Sequence, residues 1–145
     1  MFHQLGDLAM VAVPTILVID DDADIRGMLK MILEEEGYRV ITASDGQAGL
    51  LRASNDQPDV IICDMMMPKM SGFIVLERVK QLQHLQTPFI MLTANESDQQ
   101  KAFAEFLGVD AYLNKPIGTK PLFEQLRRLC PVPATPAMRS TLVIA

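Results

Sequence analysis

Short apolar runs that stop at an acidic or polar residue recur along this chain, and stretches of helical periodicity lie between them. The central run, Val60-Ile61-Ile62-Cys63, is bounded by Asp59 and Asp64. It is too short for a helix and predicts a strand covered on both faces, with Asp64 at the point where that strand leaves the core. Thr15-Ile16-Leu17-Val18-Ile19 repeats the pattern and ends in Asp20-Asp21-Asp22, so it predicts a first strand. Tyr38 to Ala43 predicts the second strand. Phe89-Ile90-Met91-Leu92-Thr93, entered through Pro88, predicts the fourth, and Ala111-Tyr112-Leu113 predicts a short fifth that runs into Asn114-Lys115-Pro116.

The intervening stretches read as helices. Ile25, Met28, Leu29, Ile32 and Leu33 recur at helical spacing after Asp22, a candidate N-cap, and Gly37 ends the pattern. A short helix is expected from Asp45 to Ala53 with Ala48 and Leu51 inward. A third should run from Ser71 to about His84, with Phe73, Ile74, Leu76, Val79 and Leu82 along it. The fourth, from about Ser97 to Leu107, would present Phe103, Phe106 and Leu107 to the core. The fifth, from about Thr119 to Leu129, carries Leu122, Phe123, Leu126 and Leu129 on one stripe.

Five strands alternating with five helices through short connections predict a doubly wound α/β fold: a parallel five-stranded sheet with helices on both faces. In such sheets ligands bind beyond the carboxyl ends of the strands, where the strand order reverses. With the flavodoxin-like order 2-1-3-4-5, Asp20, Asp21, Asp64, Thr93 and Lys115 all reach one rim.

Composition narrows the class. The 145 residues are 49% hydrophobic, enough for one domain with a real core, expected over residues 15–130. Residues 1–14 read as a poorly ordered leader. Pro131, Pro133 and Pro136 mark residues 131–145 as a tail or linker. A net charge of −5 with no Lys/Arg cluster argues against direct nucleic-acid binding. Cys63 and Cys130 are too few for a disulfide framework, which favours a reduced, cytoplasmic setting. The apolar stretch Leu8–Val13 has no preceding Lys or Arg and is too short to span a bilayer, so no membrane role is expected. His3 and His84 have no partner at useful spacing.

Carboxylates gathered at one rim repel: two unit charges about 5 Å apart at an effective dielectric of about 20 cost roughly 3 kcal/mol. A hard divalent cation would offset this, and an all-oxygen donor set suits Mg²⁺ or Mn²⁺. The cation would also let Asp64 approach an anionic phosphoryl group and attack it as a nucleophile, with Lys115 and the Thr93 hydroxyl contacting phosphoryl oxygens. Each residue alone has a plainer reading. Acids after a strand usually cap a helix, Lys-Pro is usually a turn, and a strand threonine usually packs. Their joint placement at separate strand ends points to chemistry. Asp22 and Asp24 read as capping and surface charge, and Met65, Met66, Met67 and Met70 as apolar filling, since Mg²⁺ does not take thioethers.

Together, Val18-Ile19-Asp20-Asp21-Asp22, Asp64 to Gly72, Met91-Leu92-Thr93-Ala94 and Tyr112-Leu113-Asn114-Lys115-Pro116 resemble the receiver domain of two-component response regulators. The resemblance extends from about Thr15 to Leu129. It implies that Asp64 takes a phosphoryl group from a phosphohistidine on a sensor histidine kinase or a phosphotransfer protein. It further implies Mg²⁺ bound by Asp21, Asp64 and the Met66 carbonyl, with Asp20 acting through water. Thr93 and Tyr112 would form a switch pair that alters the surface of the fourth helix, fifth strand and fifth helix. That surface would serve a downstream protein partner, an output domain or a second copy. The resemblance also implies a cis Lys115-Pro116 bond and places Met66 and Asn95 at the two positions expected to tune phosphoryl lifetime, from which slow self-dephosphorylation is expected.

Two other functions compete. A Mg²⁺-dependent phosphatase of haloacid-dehalogenase type would use Asp20 as nucleophile and Asp22 as acid, but Ala23-Asp24 departs from that motif and no cap insertion is present. A flavodoxin-like cofactor binder would need a phosphate loop after the first strand, which the acidic triplet is not.

Overall fold

A computed structural model describes residues 13–82, 86–94 and 97–131. Among them β1 (Thr15–Ile19), β2 (Arg39–Ala43), β3 (Val60–Asp64), β4 (Phe89–Thr93) and β5 (Ala111–Asn114) form one parallel sheet in the order β2-β1-β3-β4-β5. The helices are α1 (Ala23–Glu35), α2 (Gly46–Asp56), α3 (Gly72–Glu77), α4 (Asp98–Phe106) and α5 (Thr119–Leu129). The doubly wound architecture and strand order expected from the pattern are both observed.

Strand periodicity of two divides the core into two layers. Leu17, Ile19, Ile61, Cys63, Phe89 and Met91 pack on one side of the sheet with Val75, Leu76 and Val79 of the α3 segment. Ile16, Val18, Val60, Ile62, Ile90 and Leu92 pack on the other with Leu29 and Leu33 of α1 and Leu122 and Leu126 of α5. Covered on both faces, β3 and β4 are buried throughout, hence their unbroken apolar sequence. Each fully buried Ile or Leu contributes about 1.5–3 kcal/mol of apolar burial, so these strands anchor the rim above them.

Local chemistry sets the helix ends. Asp22 accepts the Asp24 amide at 2.9 Å and Asp45 accepts the Ala48 amide at 2.8 Å, each closing an N-cap. Gly37 and Gly108 take φ values of 100° and 98° where α1 and α4 end, the left-handed turn that glycine adopts without strain.

Several expectations change. Leu51 points to solvent, and Gly46, Gly49 and Ala53 form the inner face of α2, because a Cβ on Gly49 would strike Ile19. The helix also continues past Ala53 to Asp56, where Gln57 caps it in a left-handed conformation. Phe106 is 83% exposed and Phe103 47%, so the buried residues at α4 are Ala104 and Leu107. On α1 Met28 is exposed, and on α3 Ile74 is exposed while Val75 is buried. The third helix is α-helical only through Glu77 and widens into a π turn over Arg78–Leu82; His84 lies outside the described residues. Pro14 is buried and its carbonyl accepts the Arg39 amide at 2.9 Å, so it belongs to the folded unit rather than a leader. The rest of the expected leader up to residue 12, and the tail beyond Pro131, lie outside the described residues. No described helix is long and apolar enough to cross a membrane.

Candidate functional site

The register of the sheet builds the site. Ile19 is level with Cys63, so Asp20, one residue beyond β1, lies beside Asp64 at the end of β3. Asp64 is level with Leu92, and Thr93 with Asn114, so Thr93 and Lys115 complete the same rim. The Lys115 amide donates to the Thr93 carbonyl at 2.7 Å, which extends the strand pairing one residue past β5. The Lys115-Pro116 bond is cis, as expected.

Lys115 bridges two carboxylates, with Nζ 3.0 Å from Asp20 Oδ2 and 3.1 Å from Asp64 Oδ1. One carboxylate oxygen from each of Asp20, Asp21 and Asp64 lies within 4.8 Å of the other two. Asp20 and Asp64 are buried and Asp21 is exposed, so the cluster has a protected floor and an open lip. Asp20 is further fixed by the Asp22 amide, which donates to its Oδ1 at 2.9 Å.

Electrostatics follow from this packing. Burial and the charge of Asp20 raise the pKa of Asp64, against the pull of the Lys115 ammonium. Burial works to lower the pKa of Lys115, but its bonds to Asp20 and Asp64 and their charges outweigh that, and the net direction is up. The result is a basic carboxylate beside a firmly protonated amine. Cys63 is fully buried, and burial followed by the charges of Asp64 and Asp20 drives its thiol well above the ordinary range, so it is no nucleophile.

The loop after Asp64 is held from several sides. The Met65 amide donates to the Leu92 carbonyl and the Gly72 amide to the Met65 carbonyl, both at 2.8 Å. A Cβ on Gly72 would collide with the Asp64 carbonyl oxygen and the Met65 backbone, so only glycine lets α3 start this close to the strand end. Lys69 has a φ of 70° between Pro68 and Met70, whose carbonyl and amide are bonded at 2.7 Å. Within the loop Met65 and Met67 are buried, as apolar filling should be, but Met66 is 63% exposed.

The sequence-predicted residues are therefore brought together with few exceptions. Asp20, Asp21, Asp64, Thr93 and Lys115 share the rim, and Thr93 is fully buried there. Tyr112 is level with Met91, two residues below Thr93 in the register, with its hydroxyl 3.8 Å from Met65 Sδ. Asn95 lies outside the described residues. Arg26 was not foreseen: its Nη1 donates to the Asp20 carbonyl at 2.7 Å. A cation one turn into a helix that follows three acids is the signal in the sequence that could have drawn attention to it. Asp22, the acid required by the phosphatase alternative, is exposed and occupied as the cap of α1.

An all-oxygen set with two carboxylates on the floor and one at the lip fits a hard divalent cation. Comparison with known proteins agrees with this geometry. The family model described as the response regulator receiver domain matches residues 16–127. The alkaline phosphatase synthesis transcriptional regulatory protein PhoP of Bacillus subtilis is 42% identical over 105 residues, covering 72% of this chain and 43% of its own length. The transcriptional regulatory protein CpxR of Escherichia coli is 40% identical over 114 residues, covering 79% and 48%. The chain thus spans about half the length of the curated relatives it matches. Among solved structures, the chemotaxis protein CheY4 of Vibrio cholerae superposes with a TM-score of 0.76 at 36% identity, covering 81% of this chain and 99% of that one. These matches leave the phosphatase reading without support, and the chain belongs to the response regulator receiver domain family, the phosphoryl-accepting switches of two-component signalling.

Proposed function

We propose that Asp64 is the phosphoryl acceptor of this receiver and that Lys115, Thr93, Asp20 and Asp21 serve its reaction. An Asp64 carboxylate oxygen bonds to phosphorus as the phosphorus–nitrogen bond of a phosphohistidine breaks, and the imidazole leaves with the bonding pair. The observation that supports this most is the Lys115 ammonium held 3.1 Å from Asp64 Oδ1 and 3.0 Å from Asp20 Oδ2. There it can follow the negative charge that develops on a phosphoryl oxygen. Thr93, buried at the end of the adjacent strand, offers a hydroxyl to another oxygen. Asp21, Asp64 and the Met66 carbonyl would hold Mg²⁺, with Asp20 acting through a water, and Mn²⁺ can substitute. When bound, the ion neutralises the acids and the incoming phosphoryl charge.

Phosphorylation is read out through Thr93 and Tyr112. Drawing Thr93 toward the phosphoryl group frees space into which Tyr112 turns. This reshapes the surface of α4, β5 and α5, where an open cavity of about 270 Å³ is lined by Ser97, Asp98, Lys101, Tyr112 and Asn114. That face serves a downstream protein, an output domain or a second copy of the chain. The donor is a sensor histidine kinase or a histidine phosphotransfer protein, in the cytoplasm. Self-dephosphorylation is slow, because the Met66 thioether beside the acceptor cannot orient an attacking water by hydrogen bonding.

The test is incubation with a small acyl or amido phosphate and Mg²⁺, followed by intact mass of the wild type and of Asp64→Asn. One phosphoryl group on the wild type and none on the variant is the expected result. An equal gain on both proteins overturns Asp64 as the acceptor.

A further inference from the structure

Among the three acids, Asp21 is the least restrained. Asp20 is gripped by Lys115 and by the Asp22 amide, and Asp64 is buried and paired with Lys115. Asp21 is exposed and forms no ion pair among the described residues. Its place at the lip is set by its backbone, and above all by the peptide that joins it to Asp20. Among the described residues the Asp20 amide is held by the Ala43 carbonyl of β2 at 3.2 Å, and the peptide that follows is held from α1, where Arg26 Nη1 donates to the Asp20 carbonyl at 2.7 Å.

Arg26 lies in the first turns of α1, where its own amide bonds the Asp22 carbonyl at 3.1 Å. Helix geometry aims a side chain there back toward the N-terminus, which carries the guanidinium across the turn to the rim. A cation near a helix N-terminus opposes the helix dipole, so its position on α1 is not favoured by the helix itself. What it gains is a charge-assisted bond to a carbonyl beside three carboxylates, a stronger bond than a neutral one. The guanidinium fork also fixes direction, which a lysine ammonium does not.

We propose that Arg26 is a positioning residue for divalent-cation binding: by clamping the Asp20–Asp21 peptide it holds the Asp21 carboxylate at the distance from Asp64 that the cation needs. The inference rests on the reading of this rim as a Mg²⁺ site. A purely electrostatic role predicts the opposite sign, because removing a nearby positive charge favours a cation, and the two can be separated.

The experiment titrates the full chain with MgCl₂, following backbone amide NMR shifts around Asp64, in wild type, Arg26→Gln and Arg26→Lys. Loss of a residue that orients metal ligands weakens binding by roughly 10–100-fold. The expected result is Mg²⁺ binding about 10-fold weaker in Arg26→Gln and a smaller loss in Arg26→Lys. The limiting rate of phosphorylation by a small phosphoramidate at saturating Mg²⁺ should stay within about twofold of wild type. Faster hydrogen exchange at the Asp21 amide without metal should accompany the weaker binding. Affinities equal to wild type in both variants, or tighter binding in Arg26→Gln, overturn the proposal, and Arg26→Lys decides the matter alone if the glutamine variant does not fold. A wild type that binds no Mg²⁺ overturns the underlying site reading instead.

Discussion

Each end of the sheet holds a partly buried lysine with aspartate, and the two are balanced differently. At the carboxyl ends of the strands, Lys115 is the one ammonium among the described residues that pairs with the acidic cluster, through Asp20 and Asp64. At the opposite end, Lys80 donates to Asp110 Oδ2 at 2.9 Å and to the Thr87 carbonyl at 2.8 Å, while the same Asp110 oxygen accepts the Phe89 amide at 2.8 Å. There the charges cancel and each group has its complement, so the arrangement fastens the π turn after α3 to β4 and to the residue that leads into β5. At the other rim negative charge is in surplus, which costs stability and suits a site waiting for a cation and a phosphoryl group.

This contrast can be broken by mutation. The largest effect is expected on phosphorylation: Asp64→Asn should abolish acceptance of label from a small phosphodonor, while Asp110→Asn, an acid of the balanced end, should keep the rate within about threefold. Comparable losses in both would erase the distinction. Next in size is stability. Lys80→Ala leaves the Asp110 carboxylate uncompensated and should cost about 2 kcal/mol in urea unfolding, a discount on the value for a fully buried pair.

Tyr38→Phe should cost about 1 kcal/mol, because the Tyr38 hydroxyl donates to the Cys130 carbonyl at 2.9 Å and joins the start of β2 to the end of α5. It also has a pH signature. Burial, followed by the charges of Cys130 and Glu36, raises the Tyr38 pKa from 10.0 to about 12. The folded chain then keeps a proton that the unfolded chain releases. That stability is complete below pH 10 and is lost as pH rises to about 12, and the phenylalanine variant should lose this slope. The smallest effect should have the opposite sign. Asp20→Asn removes one like charge from the rim and should stabilise the metal-free protein by about 0.5–1 kcal/mol, a rise of a few degrees in Tm. A destabilised Asp20→Asn would mean that its bond to Lys115 outweighs the repulsion.

The strands were legible because burial on both faces demands unbroken apolar residues, and Val60–Cys63 and Phe89–Leu92 have them. Helix faces were harder. Leu51, Phe103 and Phe106 are apolar yet exposed, and the true inner face of α2 is made of Gly46, Gly49 and Ala53, whose small size is the requirement. Apolar periodicity records where a large side chain could be buried, and close approach selects for its absence. At the site, Asp20, Asp21, Asp64, Thr93 and Lys115 were found from the ends of their strands, since parallel topology sends every such end to one rim. Arg26 was not found, because its partner is a backbone carbonyl six residues back, which no pattern of side chains reports.

The sequence by itself determined the alternation of strands and helices, the residue that ends each strand, and the chemical types gathered at the rim, because these depend on local periodicity and on the order of elements along the chain. Tertiary structure alone decided that Lys115 sits between Asp20 and Asp64, that Asp21 remains at the lip, and that Lys80 is matched with Asp110. Those pairings join residues between 30 and 95 positions apart in the chain, and only the packing of the sheet fixes which charge meets which.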